Sequence, residues 1–87
     1  MVTLVKKTGN TSTGIHMLQK HGNSYKFRCD MDTLKRLTSV QVKPEYEHFF
    51  NSRADGVFHS ETFGSIDEGT EKLIEFIKKV TGVTCTA

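Results

Sequence analysis

The clearest hydrophobic pattern lies in the last quarter of the chain, where apolar residues recur at spacings of three and four. The positions that form this stripe are Ile66, Thr70, Leu73, Ile74, Ile77 and Val80. Such spacing predicts an amphipathic helix with one face against a core. Ser65 and Glu68 have the spacing of a capping box at its start, and Gly82 can take the left-handed conformation that ends it. This helix is therefore the most strongly predicted element.

A second pattern, alternation of apolar and charged residues, begins at residue 24. Its apolar members are Tyr25, Phe27, Cys29 and Met31, and its charged members are Lys26, Arg28 and Asp30. Alternation with a period of two predicts a strand with one buried face. The segment 15–20 is predicted to be its hairpin partner.

The register of this hairpin depends on the length of its loop. A two-residue loop would place Leu18 opposite Phe27. We favour a three-residue loop at 21–23, because it places Met17 opposite Phe27 and collects more apolar side chains on one face. This register sends Leu18 to the face that carries Lys26.

The segment 32–42 carries mixed signals. Leu34 and Leu37 have helical spacing with Met31, whereas Val40 and Val42 have the spacing of a strand. We predict a turn or bulge at 32–36 and then a strand at 37–42, with a short helix followed by a strand as the open alternative.

Two further elements complete the chain. The segment 44–50, PEYEHFF, is predicted to form one or two helical turns, because Pro44 and Glu45 both suit a helix N-terminus. The segment 57–63 is predicted to be a strand whose last residue, Phe63, lies next to the start of the C-terminal helix.

Together these elements predict an α+β fold in a single domain covering residues 1–87. A short strand at 2–7 and a polar loop at 8–14 precede the hairpin. We expect a small, mostly antiparallel sheet of four to five strands, with the C-terminal helix packed on one face and the short helical segment near 44–50. The uncovered face of such a sheet is then available for binding.

The composition is that of a globular domain, with 36% hydrophobic and 25% charged residues in 87. No apolar run approaches the length of a membrane span, and the first residues lack the apolar core of a signal peptide, so neither is expected. Two cysteines do not make a disulfide framework. We therefore expect a cytoplasmic protein with two unpaired thiols and no membrane association.

Charge is distributed unevenly along the chain. Residues 1–43 carry eight basic and two acidic side chains, whereas residues 44–87 carry four basic and eight acidic ones. Such asymmetry is typical of a surface for nucleic acid or an acidic partner. The alternative is that the two halves attract each other within the fold.

The chemical motifs of catalysis and metal binding are missing from the sequence. It contains no CxxC, HxxxH or HExxH, so no metal and no cofactor are predicted. Cys29 and His16 could approach each other across the hairpin, but the favoured register points them to opposite faces. We therefore predict no catalytic residues, and a protein that is not an enzyme.

Three groups of residues are candidates for binding a macromolecular partner. The basic candidates, which could also contact nucleic acid, are Lys20, Lys26, Arg28, Lys35 and Arg36. The aromatic candidates are Tyr46, Phe49 and Phe50, which could instead form a lid over one end of the sheet. The acidic candidates are Asp67, Glu68, Glu71 and Glu75, on the outer side of the C-terminal helix.

Two stretches, GIHMLQKHGNSYKFR and GVFHSETFGSIDEGTEKL, resemble the three-stranded sheet and helix of AP2-type and integrase arm-binding DNA domains. The matching positions at the helix start are Phe63, Ser65, Asp67 and Glu68. The chain departs from that family in having no Trp and in the long segment 32–56 between the hairpin and the last strand. The resemblance implies a DNA-binding module that uses the basic face of the hairpin.

The leading functional hypothesis is a binding protein that docks on a protein or nucleoprotein partner and obstructs it. Its small size, mixed charge and lack of catalytic motifs match the general make-up of phage-encoded inhibitors of host defence, such as anti-CRISPR proteins. The alternative hypothesis is the DNA-binding module.

Overall fold

The structure is a computed structural model that describes residues 2–3, 6–8, 11–13 and 18–86. For His21 and for the residues before Leu18, the description covers the backbone alone. The described part is a small α+β fold built around a three-stranded antiparallel sheet.

The central sheet contains strands β4 (Leu18–His21), β5 (Ser24–Asp30) and β6 (Val57–His59), in that order. Two further pairs lie outside it. Strands β2 (Lys6–Thr8) and β3 (Thr11–Thr13) are antiparallel, whereas β1 (Val2–Thr3) is parallel to β7 (Cys85–Thr86). The prediction of one sheet with four to five strands is therefore only partly correct. The predicted strand at 2–7 is divided between β1 and β2, and the predicted loop contains β3.

The hairpin register differs from the favoured prediction. Leu18 lies opposite Phe27, so the loop has two residues, and Gly22 takes the positive φ of 65° that this tight connection uses. Leu18 is only 1% exposed and packs in the core, rather than on the face of Lys26. The prediction of a three-residue loop was wrong because it gave more weight to the apolar residues at 15–17 than to the turn-forming residues of the loop. Met17 itself lies outside the described residues.

Strand β6 is shorter than the predicted strand at 57–63 because a bulge interrupts it. After His59, the Ser60 N–H donates to the Phe27 carbonyl at 3.0 Å, and Phe63 exchanges two backbone hydrogen bonds with Tyr25 at 2.9 and 2.6 Å. The strand therefore has one more residue than β5 over this interval, which is the definition of a bulge. The extra residue returns Phe63 to the buried face, where it is 6% exposed.

Helix α1 (Met31–Thr38) occupies the segment predicted as a turn and a strand. Asp30 caps the helix, because its Oδ1 accepts from the Thr33 N–H at 2.7 Å. Leu34 is fully buried, and the helix ends at Ser39 with a φ of 63°. The predicted strand at 37–42 is wrong, because the helical spacing of Met31, Leu34 and Leu37 together with the Asp30 cap outweighs the two valines that follow.

Helical turns follow Pro44 as predicted. A 3₁₀ turn, η1 (Pro44–Tyr46), leads into a short helix, α2 (His48–Asn51). Between α1 and η1 the chain is extended, and the Lys43 N–H donates to the Val80 carbonyl at 2.8 Å. This bond ties the middle segment to the C-terminal helix.

Helix α3 (Ile66–Thr81) confirms the strongest sequence prediction. The Ser65 Oγ accepts from the Glu68 N–H at 3.1 Å, and Gly82 ends the helix with a φ of 81°. Gly69 allows α3 to approach the sheet, because a Cβ at this position would lie 2.8 Å from Leu18 Cδ1. The glycine that weakens the helix locally is thus required by its packing.

The core lies between α3 and one face of the sheet. Its buried apolar side chains are Leu18, Phe27, Cys29, Leu34, Val42, Phe50, Phe63, Leu73, Ile77, Val80 and Cys85. Because Leu18, Phe27 and Cys29 share one face of the hairpin, the opposite face carries the alternate residues of β5, among them Lys26 and Arg28. Among the described residues, no helix has both the length and the apolar character needed to cross a bilayer.

Candidate functional site

The face of the sheet that points away from the core carries a group of cationic side chains. Lys26 is half-buried and Arg28 is exposed, two residues apart on β5. His59 on β6 lies directly opposite Arg28, so both side chains project from the same face. Arg53 extends this group from the loop before β6. We call Lys26, Arg28, Arg53 and His59 the basic cluster.

The three cations of the basic cluster act electrostatically on His59. Loss of solvation lowers the pKa of His59, and the charges of Arg53, Lys26 and Arg28 lower it further. Asp55 opposes them, and it also forms an ion pair with Arg53 at 3.4 Å, with both side chains about half exposed. The cluster therefore holds three permanent cations and one nearby carboxylate.

One ring nitrogen of His59 lacks a hydrogen bond within the described part of the chain. Its Nε2 atom is inaccessible to solvent and has no hydrogen-bond partner among the described residues. A buried polar atom without a partner costs roughly 1–3 kcal/mol, so such an atom calls for an explanation. The cations around His59 disfavour its protonated form, which is the form that would donate from both ring nitrogens.

The five basic residues predicted from the sequence do not all join this cluster. Lys26 and Arg28 do. Lys20 is exposed but pairs with Tyr25, which places it on the face of the sheet that α3 covers. Lys35 and Arg36 are exposed in the last turn of α1, where positive charge interacts favourably with the helix dipole.

Sequence reasoning missed Arg53 and His59. The alternation of Val57, Phe58 and His59 contained a signal for the histidine, because a strand that buries Phe58 turns both of its neighbours outward. Arg53 lies in an exposed loop, and nothing in its local sequence indicates where that loop folds. Its placement depends on α2 and β6 together.

The aromatic candidates divide between core and surface. Phe50 is 0% exposed and packs in the core, so its predicted availability to a partner is corrected. Tyr46 and Phe49 are half-buried, with ring centroids 5.7 Å apart. The Nζ atom of Lys79 lies 5.8 Å from the Tyr46 ring centroid and 5.4 Å from that of Phe49. Because Phe49 and Phe50 both contact the Phe58 ring, the segment packs against the end of the sheet.

A surface groove of about 340 Å³ lies between α3 and the bulged strand. Its apolar lining consists of Phe27, Phe58, Phe63 and Phe76, and its polar lining of Ser60, Glu61, Lys72, Glu75 and Lys79. Phe58 and Phe76 stack at 4.4 Å between centroids. The groove is the exposed rim of the aromatic core, with charges of both signs around it.

The acidic candidates, Asp67, Glu68, Glu71 and Glu75, are all exposed on α3. Glu68 Oε1 accepts from the Gly64 N–H at 3.3 Å. In a standard capping box this carboxylate would accept from the N–H of the cap residue itself, Ser65. Glu75 pairs with Lys72 at 3.4 Å. Asp67 and Glu71 are also exposed on this helix. The acidic surface of α3 and the basic cluster thus lie on opposite layers of the molecule.

Burial makes Cys29 a poor nucleophile. Loss of solvation, with a smaller contribution from Asp30, raises the pKa of Cys29 to about 12, so the thiol stays protonated at neutral pH. Burial also raises the pKa of Cys85, and both cysteines are free. Among the described side chains, no three His, Cys, Asp or Glu residues come together in a way that could hold a metal ion.

Comparison with protein families, with characterised proteins and with experimentally solved structures finds no match to this chain.

Proposed function

We propose that this protein is a non-catalytic binding protein that docks on a macromolecular partner, a protein or a nucleoprotein complex, and obstructs it. The observation that carries this proposal is the group of cations on the outer face of the sheet, Lys26, Arg28 and Arg53. On the other layer, α3 carries its four acidic side chains together with Lys72, Lys78 and Lys79. A charged surface can recognise a partner by complementary potential.

The packing of the described residues supports obstruction of the partner. They surround one aromatic core and present charged side chains to solvent. Mixed charge and the lack of catalytic motifs are the general make-up of phage-type inhibitors such as anti-CRISPR proteins, and the comparison is an analogy of composition alone. A cytoplasmic location stays a prediction.

The test uses two charge-reversal variants with the same change in net charge. K26E/R28E reverses the basic cluster, whereas K43E/K78E reverses two exposed lysines outside it. Each protein is immobilised, the proteins captured from a bacterial lysate are identified, and the main one is purified. The activity of that purified partner is then measured with wild-type protein and with both variants.

We expect wild-type protein and K43E/K78E to bind and inhibit the partner, and K26E/R28E to lose at least tenfold in affinity, the equivalent of about 1.4 kcal/mol. Full activity of the partner at saturating wild-type protein would refute obstruction. Equal affinity of the two variants would show that the basic cluster is not the docking surface.

The second candidate function is a DNA-binding module that uses the outer face of the sheet. The observation that favours it is that the three-stranded sheet has its core and α3 on one face and Lys26, Arg28 and His59 on the other. The described side chains of the outer face include no Phe or Tyr, so contacts there would be made to phosphates rather than by base stacking.

A salt titration with a labelled DNA duplex tests this second candidate. Three phosphate contacts predict that affinity falls about 40-fold between roughly 50 and 200 mM salt. Replacing Lys26 with Ala should lower the logarithmic salt slope by about one. Binding that does not respond to salt, or a slope that K26A leaves unchanged, would rule out the module as described.

A further inference from the structure

The charges that act on His59 come from β5 and from the loop before β6. Strand β5 contributes Lys26 and Arg28, and the loop before β6 contributes Arg53 and Asp55. Asp30, which lies opposite Val57 at the end of β5, is already engaged because its carboxylate accepts from the first turn of α1. Asp55 is thus the carboxylate of this group that acts on His59, and it is shared with Arg53.

We propose that the basic cluster is a phosphate-binding site for a nucleic-acid backbone, and that His59 takes up one proton when the phosphates bind. This inference rests on the second candidate function and adds to it the ligand group and the titrating residue. It rests on two observations together: the concentration of cations on one sheet face, and the position of His59 directly opposite Arg28 on that face.

The row of charges on β5 suits a phosphate backbone better than isolated carboxylates on a protein. Lys26 and Arg28 are two residues apart, which corresponds to roughly 7 Å along a strand. A nucleic-acid strand carries one phosphate for about every 3.4 Å of helix axis, so both cations can contact one backbone at the same time. The planar guanidinium groups of Arg28 and Arg53 can each make two hydrogen bonds to a phosphate.

Proton uptake follows from the same charges. In the free protein, loss of solvation and the charges of the three cations both disfavour the protonated imidazole of His59. Phosphates that neutralise Lys26, Arg28 and Arg53 remove this repulsion and raise the pKa of His59. Binding and protonation then favour each other, and affinity must rise as the pH falls between the pKa values of the bound and free states.

The experiment measures the affinity for a short fluorescein-labelled DNA duplex by anisotropy, from about pH 8 to about pH 5 at constant low salt. Three proteins are compared: wild type, H59Q, and H48Q as a control at an exposed histidine of α2. We expect wild type and H48Q to bind about three- to tenfold more tightly at the acidic end, because one proton contributes at most tenfold per pH unit. H59Q should lose most of this gain.

A second measurement does not depend on a variant. The His59 ring is titrated by NMR in the wild-type protein with and without the duplex, and its pKa should rise when DNA is present. An unchanged His59 pKa in the complex would overturn the proton linkage, as would H59Q that keeps the wild-type pH dependence.

The choice of ligand is tested with a polyglutamate peptide of matched charge. We expect the duplex to bind more tightly than the peptide at each pH. Equal or tighter binding of the peptide, or no binding of the duplex at low salt, would overturn the nucleic-acid assignment. In that case docking on a protein partner would still be tested separately by the inhibition assay.

Discussion

The two faces of strand β5 differ in what holds their side chains, although they alternate along a single seven-residue strand. On the inner face, Phe27 contacts the rings of Phe58, Phe63 and Phe76 at centroid distances of 5.6 to 6.1 Å. On the outer face, Arg28 is exposed and meets His59 across the sheet. Phe27 on the inner face is packed in the core, whereas Arg28 on the outer face is exposed to solvent.

Because of this difference, substitutions on the inner face should change stability and substitutions on the outer face should change binding. Side chains in a close-packed core cannot be shortened without leaving a cavity, whereas exposed side chains can be replaced with little effect on folding. Substitutions on the two faces of β5 therefore separate stability from binding. The predictions below test that separation.

The largest effect is expected on the inner face. Phe27 is 3% exposed within a cluster of aromatic rings, so F27A should lower the free energy of unfolding by roughly 3–5 kcal/mol. Urea unfolding followed by circular dichroism measures this. The matched control, R28A on the next position, should remain within about 0.5 kcal/mol of wild type. Similar losses for the two variants would contradict the division between the faces.

The approach of α3 to the inner face gives the next prediction. A Cβ at Gly69 would lie 2.8 Å from Leu18 Cδ1, and Leu18 is fully packed. Overpacking of this kind costs roughly 1–3 kcal/mol and exceeds the gain of up to about 1 kcal/mol from replacing a helical glycine. G69A should therefore lose about 1 kcal/mol in thermal or urea unfolding. G64A, whose nearest contact would be Glu68 Oε1 at 3.8 Å, should be close to neutral.

Asp30 is an exception on the outer face, because it belongs to that face by alternation yet has a structural contact. Its carboxylate caps α1, so D30A should cost about 1 kcal/mol of unfolding free energy. D30N, which keeps an oxygen that can accept from the Thr33 N–H, should recover most of the loss. If D30A is neutral, the cap does not stabilise α1, and Asp30 is better grouped with the charged surface.

The smallest effect concerns pH. Because the pKa of His59 is lowered in the folded protein, the unfolded chain binds a proton first as the pH falls through the ordinary histidine range. Stability contributed by neutral His59 is present above that range and declines as the pH falls toward the folded pKa. Wild type should therefore lose more stability than H59Q between about pH 7.5 and pH 5.5. Parallel stability curves would contradict the effect of the cations on His59.

The parts of the fold that were predictable are those where local signals agree. Around α3, the apolar stripe, Ser65 and Gly82 all indicate the same helix, and the structure confirms it. In the segment 31–42, some apolar residues had helical spacing, whereas Val40 and Val42 had the spacing of a strand. The cap by Asp30 favours the helix that the structure contains. In the hairpin, the turn residues favoured the two-residue loop, whereas the close approach of Leu18 to Gly69, 51 positions apart, cannot be read from any local pattern.

The candidate site was predictable only in part, for the same reason. Alternation alone placed Lys26 and Arg28 on an outer face. The assignment of Arg53 and His59 to that face required the path of β6, and the burial of Phe50 required the packing of α2 on Phe58. Long-range contacts thus decide which charges come together and which aromatic rings remain accessible.

We propose that Lys26, Arg28 and Arg53 bind the phosphate backbone of a nucleic acid and contribute little to the stability of the fold. The most direct measurement combines unfolding and duplex binding on one preparation of K26A/R28A/R53A. We predict an unfolding free energy within about 1 kcal/mol of wild type, since exposed charges contribute little, and at least a tenfold loss of affinity at low salt. A variant that unfolds more readily, or that binds the duplex as tightly as wild type, would contradict the claim.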